Sequence, residues 1–421
     1  MLEVSIANSQ ASSAVMPGDC WKGILQISSH SVAQGDEQTL TCARASNLPQ
    51  GKLFFDERPK QKRKDLYDFE SEFKELCAAI KRGDPLVVLV GLRRTGKTSL
   101  LLTALNEVSN PSVVLDLRAL ATQAYGTRKD LLLEFERALN SFLGKYRTIG
   151  QKLVERLKSL RGVQLTPQGI GLTWGGKGRV DLIRLFIEID RWASSQDEQA
   201  IIAFDEAQEL RRIAGVDVAR LVAYCYDHCH NVTIVLTGSA IGLLYDFLGD
   251  RNPTAPLYGR SRTEISIGRL MSDKAKDFLF RGFKQAKLKT DERLIERAVE
   301  RLDGVIGWLT MFGATCLKKG VSEVALDQCV ETAKAVAKRE FENFLVGREA
   351  GRRRYVRIVR YLAKGPSTWS TIKGSLEAQE GRAINDRNLG DLLTTLAKAG
   401  FVDKKDEQYQ LTDPILAQAF R

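Results

Sequence analysis

The stretch "LVVLVGLRRTGKTSLL", Leu86 to Leu101, sets an apolar, β-branched run against a glycine, two arginines, a Gly-Lys-Thr triplet and a second apolar run. The first run has the length and composition of a strand buried on both faces, and the second opens a helix. Between them, Gly91-Leu-Arg-Arg-Thr-Gly96-Lys97-Thr98 fits G-x-x-x-x-G-K-[ST], with Ser99 directly after it. In a strand, loop and helix of this order, loop N–H groups, those of Arg93, Arg94, Thr95 and Gly96 among them, wrap phosphate oxygens at the positive helix end. Lys97 then reaches the β- and γ-phosphates, and the Thr98 hydroxyl ligates a Mg²⁺ ion that screens their charge. The expected ligands are ATP and Mg²⁺.

A partner for this loop lies about 110 residues downstream. "IIAFDEAQEL" ends a buried strand in Asp205 and Glu206, so two carboxylates emerge at the carboxyl edge of the sheet, where open α/β folds bind ligands. Asp205 suits the Mg²⁺ shell and Glu206 the polarising of an attacking water. A further strand ends in Thr237-Gly238-Ser239, where a hydroxyl could sense the γ-phosphate, although a simple turn accounts for these residues nearly as well.

Apolar runs at Leu86 to Val90, Val113 to Leu117, Ile201 to Phe204 and Thr233 to Leu236 alternate with helical periodicity. This is the pattern of a doubly wound α/β domain with a parallel sheet, closed by a fifth run at Thr263 to Ile267. The long insertion "RGVQLTPQGIGLTWGGKG" alternates around Pro167 to Gly169 and predicts a projecting hairpin. After residue 268 helices take over. The expected layout is an N-terminal extension over 1–52, a nucleotide-binding core over 53–267, a helical segment over 268–347, which the family resemblance given below implies is a lid, and a winged helix over 348–421.

The chain has 421 residues, with 63 Lys and Arg against 52 Asp and Glu, a bias of +11 that attracts polyanions without naming one. Seven cysteines without regular spacing form no disulfide framework and suit a cytoplasmic setting. No apolar run approaches the roughly 18 residues of a membrane span, and the N-terminus lacks a basic region followed by an apolar one, which argues against a membrane or exported protein. Residues 1–52 are rich in Ser, Ala, Gln and Gly, show no sustained period and read as a poorly ordered extension or a short accessory hairpin.

"LVVLVGLRRTGKTSL", "IIAFDEAQEL", "VLTGSAIGLLYDFL", "PLYGR" and "EFENFLVGREAGRRRYVRIVRYLA" together resemble the archaeal ATPase family within the STAND group of AAA+-related P-loop NTPases. The resemblance runs from about Leu53 to the C-terminus and implies a P-loop core, a lid and a winged helix-turn-helix. It implies that Lys97 and Thr98 match the Walker A lysine and hydroxyl, that Asp205 and Glu206 match the Walker B pair, and that Ser239 or Thr237 is the sensor. It also implies that Arg260 of "PLYGR" approaches the γ-phosphate, where a guanidinium would offset developing charge; the alternative is a structural arginine paired with a carboxylate. Two positions depart from the pattern. "YDFESEF" puts Phe69 where Gly-Arg-Glu or Asp-Arg-Glu places an arginine, and "DGVIGWL" puts Ile306 where the lid carries a proline.

"CYDHCH" resembles a zinc site, but Val218, Leu221, Val222, Cys225 and Cys229 follow helical spacing, which places the cysteines on an apolar helix face. In the C-terminal module Val356, Val359 and Leu362 make an apolar stripe, while Arg353, Arg357, Arg360 and Lys364 line another face. Residues 351–421 hold 13 basic against 8 acidic side chains, yet the third helix exposes Arg387, Asn388, Asp391, Thr394, Thr395 and Lys398, a mildly basic set. DNA, a protein partner and contacts within the molecule are all open for this module, as is a homo-oligomer.

The expected function is an ATP-binding switch with slow ATPase turnover, in which nucleotide contacts from lid and core position the winged helix. The alternative is a DNA-binding regulator that uses ATP as a conformational ligand. Because residues 1–50 carry no apolar period for docking, their deletion is expected to leave the melting temperature and ATPase rate unchanged; loss of soluble protein on truncation would show the segment to be integral.

Overall fold

The computed structural model describes residues 54–122, 125–166, 169–173 and 180–421. The extension over 1–52 and the hairpin tip at Pro167 lie outside the described residues.

A parallel five-stranded sheet organises the nucleotide-binding half. In space its strands run Ser112–Asp116, Ala200–Asp205, Val232–Gly238, Leu86–Gly91 and Thr263–Ile267. Strands Leu86–Gly91, Ala200–Asp205 and Val232–Gly238 are buried along their whole length, as apolar runs without alternation require. Thr263–Ile267 pairs with the outer side of Leu86–Gly91 and completes that edge of the sheet. The register sets Asp116 opposite Asp205 and Leu89 opposite Thr237, so the strands carrying the candidate polar groups end at one level.

Helices cover both faces. Glu70–Arg82 and Lys97–Val108 pack on one side, and Arg128–Lys145, Leu182–Ser195 and Val218–His228 on the other. Local chemistry sets their ends: Thr127 and Asp130 form a reciprocal capping box, Asp181 caps the next helix, and Gly83 closes Glu70–Arg82 in the left-handed conformation. Cys225 and Cys229 are buried in the core, in keeping with their helical spacing. The insertion forms antiparallel strands Val163–Thr166 and Gly169–Leu172.

The lid consists of helices Ser272–Gln285, Glu292–Leu302, Ile306–Lys319 and Glu323–Leu345. The winged helix follows with helices Arg352–Leu362, Trp369–Glu380 and Asp386–Lys398, a hairpin of Val402–Lys405 and Gln408–Leu411, and a closing helix Pro414–Phe420. One continuous apolar cluster extends from the sheet face through the lid into this module. Among the described residues no helix is long and apolar enough to cross a membrane.

The segment before the first long helix is pinned to the lid by its aromatic side chains. The Phe55 ring sits where helices Ser272–Gln285 and Ile306–Lys319 each present a glycine, Gly282 and Gly313, either of which would drive a Cβ into the ring. Phe54 stacks on Phe278, and the Tyr67 hydroxyl donates to Asp277 at 2.6 Å. Phe55→Ala is therefore expected to destabilise the lid by about 3–5 kcal/mol, read as a lower urea midpoint. A midpoint unchanged from the parent would mean that the ring carries none of the lid's packing.

Candidate functional site

The loop between strand Leu86–Gly91 and helix Lys97–Val108 owes its shape to two glycines and one strained arginine. Gly91 lies against the Ile267 carbonyl, leaving no room for a Cβ, and Gly96 has φ +98. Arg94 takes φ +63, a left-handed conformation uncommon for a residue with a side chain. Thr95 closes the turn by donating its hydroxyl to the Leu92 carbonyl at 2.9 Å, and Ser99 accepts from the Lys60 amide at 3.1 Å.

Three ionisable side chains meet below this loop. Lys97 is buried, and its Nζ donates to the carbonyls of Gly91 and Leu92 at 2.9 and 2.6 Å. Burial pushes its ammonium down to about 8, against the pull of Glu206 and Asp205. Thr98 Oγ1 donates to Asp205 Oδ2 at 2.8 Å, and Thr237 Oγ1 donates to Asp205 Oδ1 at 2.5 Å. Burial nonetheless raises the Asp205 carboxyl above the usual carboxylate range, and repulsion from Glu206 adds to the effect.

Glu206 sits at φ +60 on the turn after its strand. Its amide donates to Thr237 Oγ1 at 3.0 Å, while its Oε2 accepts from Gln208 Nε2 and Ser239 Oγ, each at 2.5 Å. Burial works to raise this carboxyl, but Lys97 and the bonds from Ser239 and Gln208 outweigh it and hold the group below its ordinary value. The structure thus brings Thr237 to Asp205 and Ser239 to Glu206, each as a donor to one carboxylate.

Lys97, Thr98 and Glu206 face a cleft of about 960 Å³ walled by the phosphate loop, the strand ends, the Phe54–Lys60 segment and the lid. Phe69 and Ile306, read separately as departures in the sequence, meet here: both lie within van der Waals reach of a Cβ built on Gly96. Phe69 holds φ +61 as the cap of helix Glu70–Arg82, so the ring is aimed by a strained backbone.

The two loop arginines line the same cleft and reach across it to the C-terminal modules. Arg94 makes a bidentate pair with Glu340 of the lid at 2.5 and 2.9 Å and lies 3.9 Å over the Trp308 ring, and its carbonyl accepts from the Gly307 amide at 3.0 Å. Arg93 donates to the Ala399 carbonyl at 3.1 Å and lies 4.9 Å over Phe401, both in the winged helix. The intervening Gly400 rests on the Ser239 carbonyl.

Sequence reading gave no role to Glu340, Trp308 or Phe401, although "EFENFLVG" opens with Glu340 and "DGVIGWL" contains Trp308. It also missed Gln208, although "DEAQEL" contains it: its Nε2 braces Glu206, and its buried Oε1 has no hydrogen-bond partner among the described residues. Arg118, paired with Asp116 at the neighbouring strand end, also lines the cleft.

These features match known proteins along the whole described fold. Residues 80–244 match the AAA domain family, and residues 349–412 match the C-terminal winged helix-turn-helix domain of MCM proteins. The Walker-type ATPase PABY2304 of Pyrococcus abyssi is 35% identical and superposes with a TM-score of 0.73, covering 88% of this chain and 100% of its own. The chain belongs to the archaeal AAA+-like P-loop ATPases that carry a winged helix. The ORC2 protein of Aeropyrum pernix, solved in ADPNP–ADP complexes, shares the fold at 14% identity and a TM-score of 0.56, covering 87% of this chain and 95% of its own. A search of the curated proteins finds no match.

One expected site residue of this ATPase stands elsewhere. Arg260 pairs with Asp227 through Nε at 3.1 Å and Nη2 at 2.6 Å, donates to the Pro256 carbonyl, and is not among the residues walling the cleft. The alternative reading, a structural arginine held by a carboxylate, is the arrangement observed, because a bidentate pair within reach of its own loop fixes the guanidinium there. Arg260→Ala and Asp227→Ala should therefore behave alike, each costing about 1 kcal/mol or less as expected of an exposed pair and leaving ATP turnover per folded molecule unchanged. A fall of about 10³-fold confined to Arg260→Ala would place the guanidinium at the γ-phosphate instead.

Proposed function

We propose that this protein is a Mg²⁺-dependent ATPase of slow turnover whose nucleotide state sets the position of its winged helix. The observation that carries this reading is the pair of loop arginines that bind the two C-terminal modules. Arg93 grips the winged helix and Arg94 the lid, from adjacent positions in the very loop whose N–H groups would wrap the phosphates. Any shift of that loop on phosphate binding is passed to both modules through short, directional contacts, which are stiffer than a flexible linker.

Thr98 and Asp205 offer the hard oxygen donors that suit Mg²⁺, adjacent at 2.8 Å, and the ion would screen phosphate charge there. Lys97, released from its loop carbonyls, would place its ammonium on the β- and γ-phosphates. Glu206 is the proton acceptor. Its Oε2 is occupied by Gln208 and Ser239, which leaves Oε1 as the atom that would receive a proton from the attacking water. Ser239 would report the state of Glu206 to Gly400 of the winged helix, whose turn rests on the Ser239 backbone. Slow turnover fits a cleft whose walls do not include Arg260. A DNA or protein partner would be engaged through the winged helix, and the STAND-type role as a switch belongs to this same reading.

The reading is tested by hydrogen exchange across residues 396–402 together with ATP binding and turnover. Lys97→Ala is expected to lose ATP binding with its fold intact, and Glu206→Gln to bind ATP without turning it over. ATP with Mg²⁺ should change exchange over 396–402 in Glu206→Gln and not in Lys97→Ala, and Arg93→Ala should raise exchange there without nucleotide. Identical exchange with and without ATP in the Glu206→Gln protein would sink the switch, and equal turnover in Glu206→Gln and the parent would remove Glu206 from the chemistry.

A further inference from the structure

A second cleft, of about 730 Å³, opens on the far side of the winged module, between its first, second and closing helices and the lid helix Glu323–Leu345. Five of its lining side chains are cationic, Lys338, Arg357, Arg360, Lys364 and Arg421, and none is acidic. Such a concentration of one sign is unusual in this chain, whose surface arginines are mostly tied to carboxylates.

The carboxylate nearest this face does not neutralise it. Glu380 accepts from Arg354 at 2.7 and 2.8 Å, from Arg357 at 3.3 Å and from Arg382 at 3.3 Å, so one negative charge is shared among three guanidinium groups. The bond from Arg354, with Arg382 behind it, holds the Glu380 carboxyl down at about 2. Arg360 and Lys364 are exposed and have no ion-pair partner among the described residues, nor does Lys338, which stands 5.9 Å over the Phe420 ring. The basic face of helix Arg352–Leu362 therefore does not tie the module to the nucleotide-binding core. That attachment is made at the opposite end, by Arg93 on Ala399 and by Lys398 on Asp246 at 3.0 Å.

Two aromatic side chains, Tyr361 and Phe420, also line the cleft, beside Ser375, Gln379 and Ala419, and are partly exposed. Cations that track a backbone, interleaved with rings on which bases stack, are the chemistry of a single-strand site. A concave wall also suits one strand better than a rigid duplex, which is read by a convex helix entering its groove. The helix that would do so here, Asp386–Lys398, exposes Arg387 and Asp391 together and has Lys398 already committed to Asp246.

We propose that this cleft binds single-stranded nucleic acid, with phosphates on Lys338, Arg360 and Lys364 and a base against Tyr361 or Phe420. The site is independent of ATP hydrolysis, so it stands or falls apart from the switch.

The test is fluorescence anisotropy of the full chain with a labelled deoxythymidine strand of about twenty nucleotides, over a salt series. Binding is expected to weaken with salt. Arg360→Glu combined with Lys364→Glu should lower affinity at least tenfold and flatten the log-log salt slope by about 0.7 for each lost contact, while Arg387→Glu changes neither. The melting temperature of the double variant should match the parent, since neither side chain has a partner to lose. Unlabelled strand should compete better than a duplex of the same length, and poly-glutamate should not compete. Undiminished binding in the double variant, loss of binding in Arg387→Glu, preference for the duplex, or displacement by poly-glutamate would each overturn the assignment.

Discussion

Everything at this site follows from burying one ammonium and two carboxylates at the end of a parallel sheet. Removing such groups from water is costly unless each finds a partner of opposite charge or a set of hydrogen bonds. Lys97 meets that demand with two carbonyls of its own loop, Asp205 with the hydroxyls of Thr98 and Thr237, and Glu206 with Ser239 and Gln208. The donors come from the phosphate loop, from the turn after Asp205 and from the end of strand Val232–Gly238. The three carrier strands must therefore end in register, and the sheet order that places Val232–Gly238 between Ala200–Asp205 and Leu86–Gly91 achieves this. A slip of one residue in that register would turn every polar group to the opposite face.

The same loop is the mechanical joint of the molecule. Its Lys97 side chain is committed to the buried cluster, and its Arg93 and Arg94 side chains are committed to the other two modules. The Arg94–Glu340 pair is partly shielded and stacked on Trp308, so loss of one partner would strand a charge in a poorly hydrated place and cost more than an exposed pair would. The Arg93 contact is lighter, one hydrogen bond and one ring face. That asymmetry makes the lid the firmer of the loop's own two attachments, while the winged module is held besides by Lys398 on Asp246 and by its apolar seam with the lid.

What the sequence made legible follows the range of the physics involved. The strand ends, the loop glycines, Lys97, Thr98, Asp205 and Glu206 belong to short motifs whose chemistry is local, and the structure brings them into one place. The lid helices and the wing were legible from periodicity and turn residues. The partners of Arg93 and Arg94 were not, because Ala399 and Glu340 lie about 306 and 246 positions away and offer only a carbonyl and one glutamate among many. Arg260 shows the same limit from the other side: a motif suggested the phosphate, and the carboxylate it pairs with, Asp227, lies 33 positions earlier and outside the motifs that carry the resemblance. Phe69 and Ile306 were each legible as departures, but their relation was not. In the fold both flank Gly96, 3.5 and 3.7 Å from where a Cβ on that glycine would stand. The strained backbone at Phe69 is the cost of aiming its ring there.

The lid helix Glu323–Leu345 joins the two clefts. Its Glu340 receives Arg94 from the phosphate loop, and its Lys338, two residues earlier, faces the basic cleft. Two residues within one turn of a rigid helix cannot shift independently, so a displacement of Glu340 by the loop moves Lys338 by a similar amount. The opposite wall of that cleft, carrying Arg360 and Lys364, belongs to the winged helix, which the loop holds separately through Arg93. The spacing between the walls is set by the seam along which the two pack directly, Phe341 and Phe344 of the lid helix against Phe401, Phe420 and Tyr355 of the winged module. A movement of the phosphate loop therefore carries both walls together and leaves the width of the basic cleft unaltered.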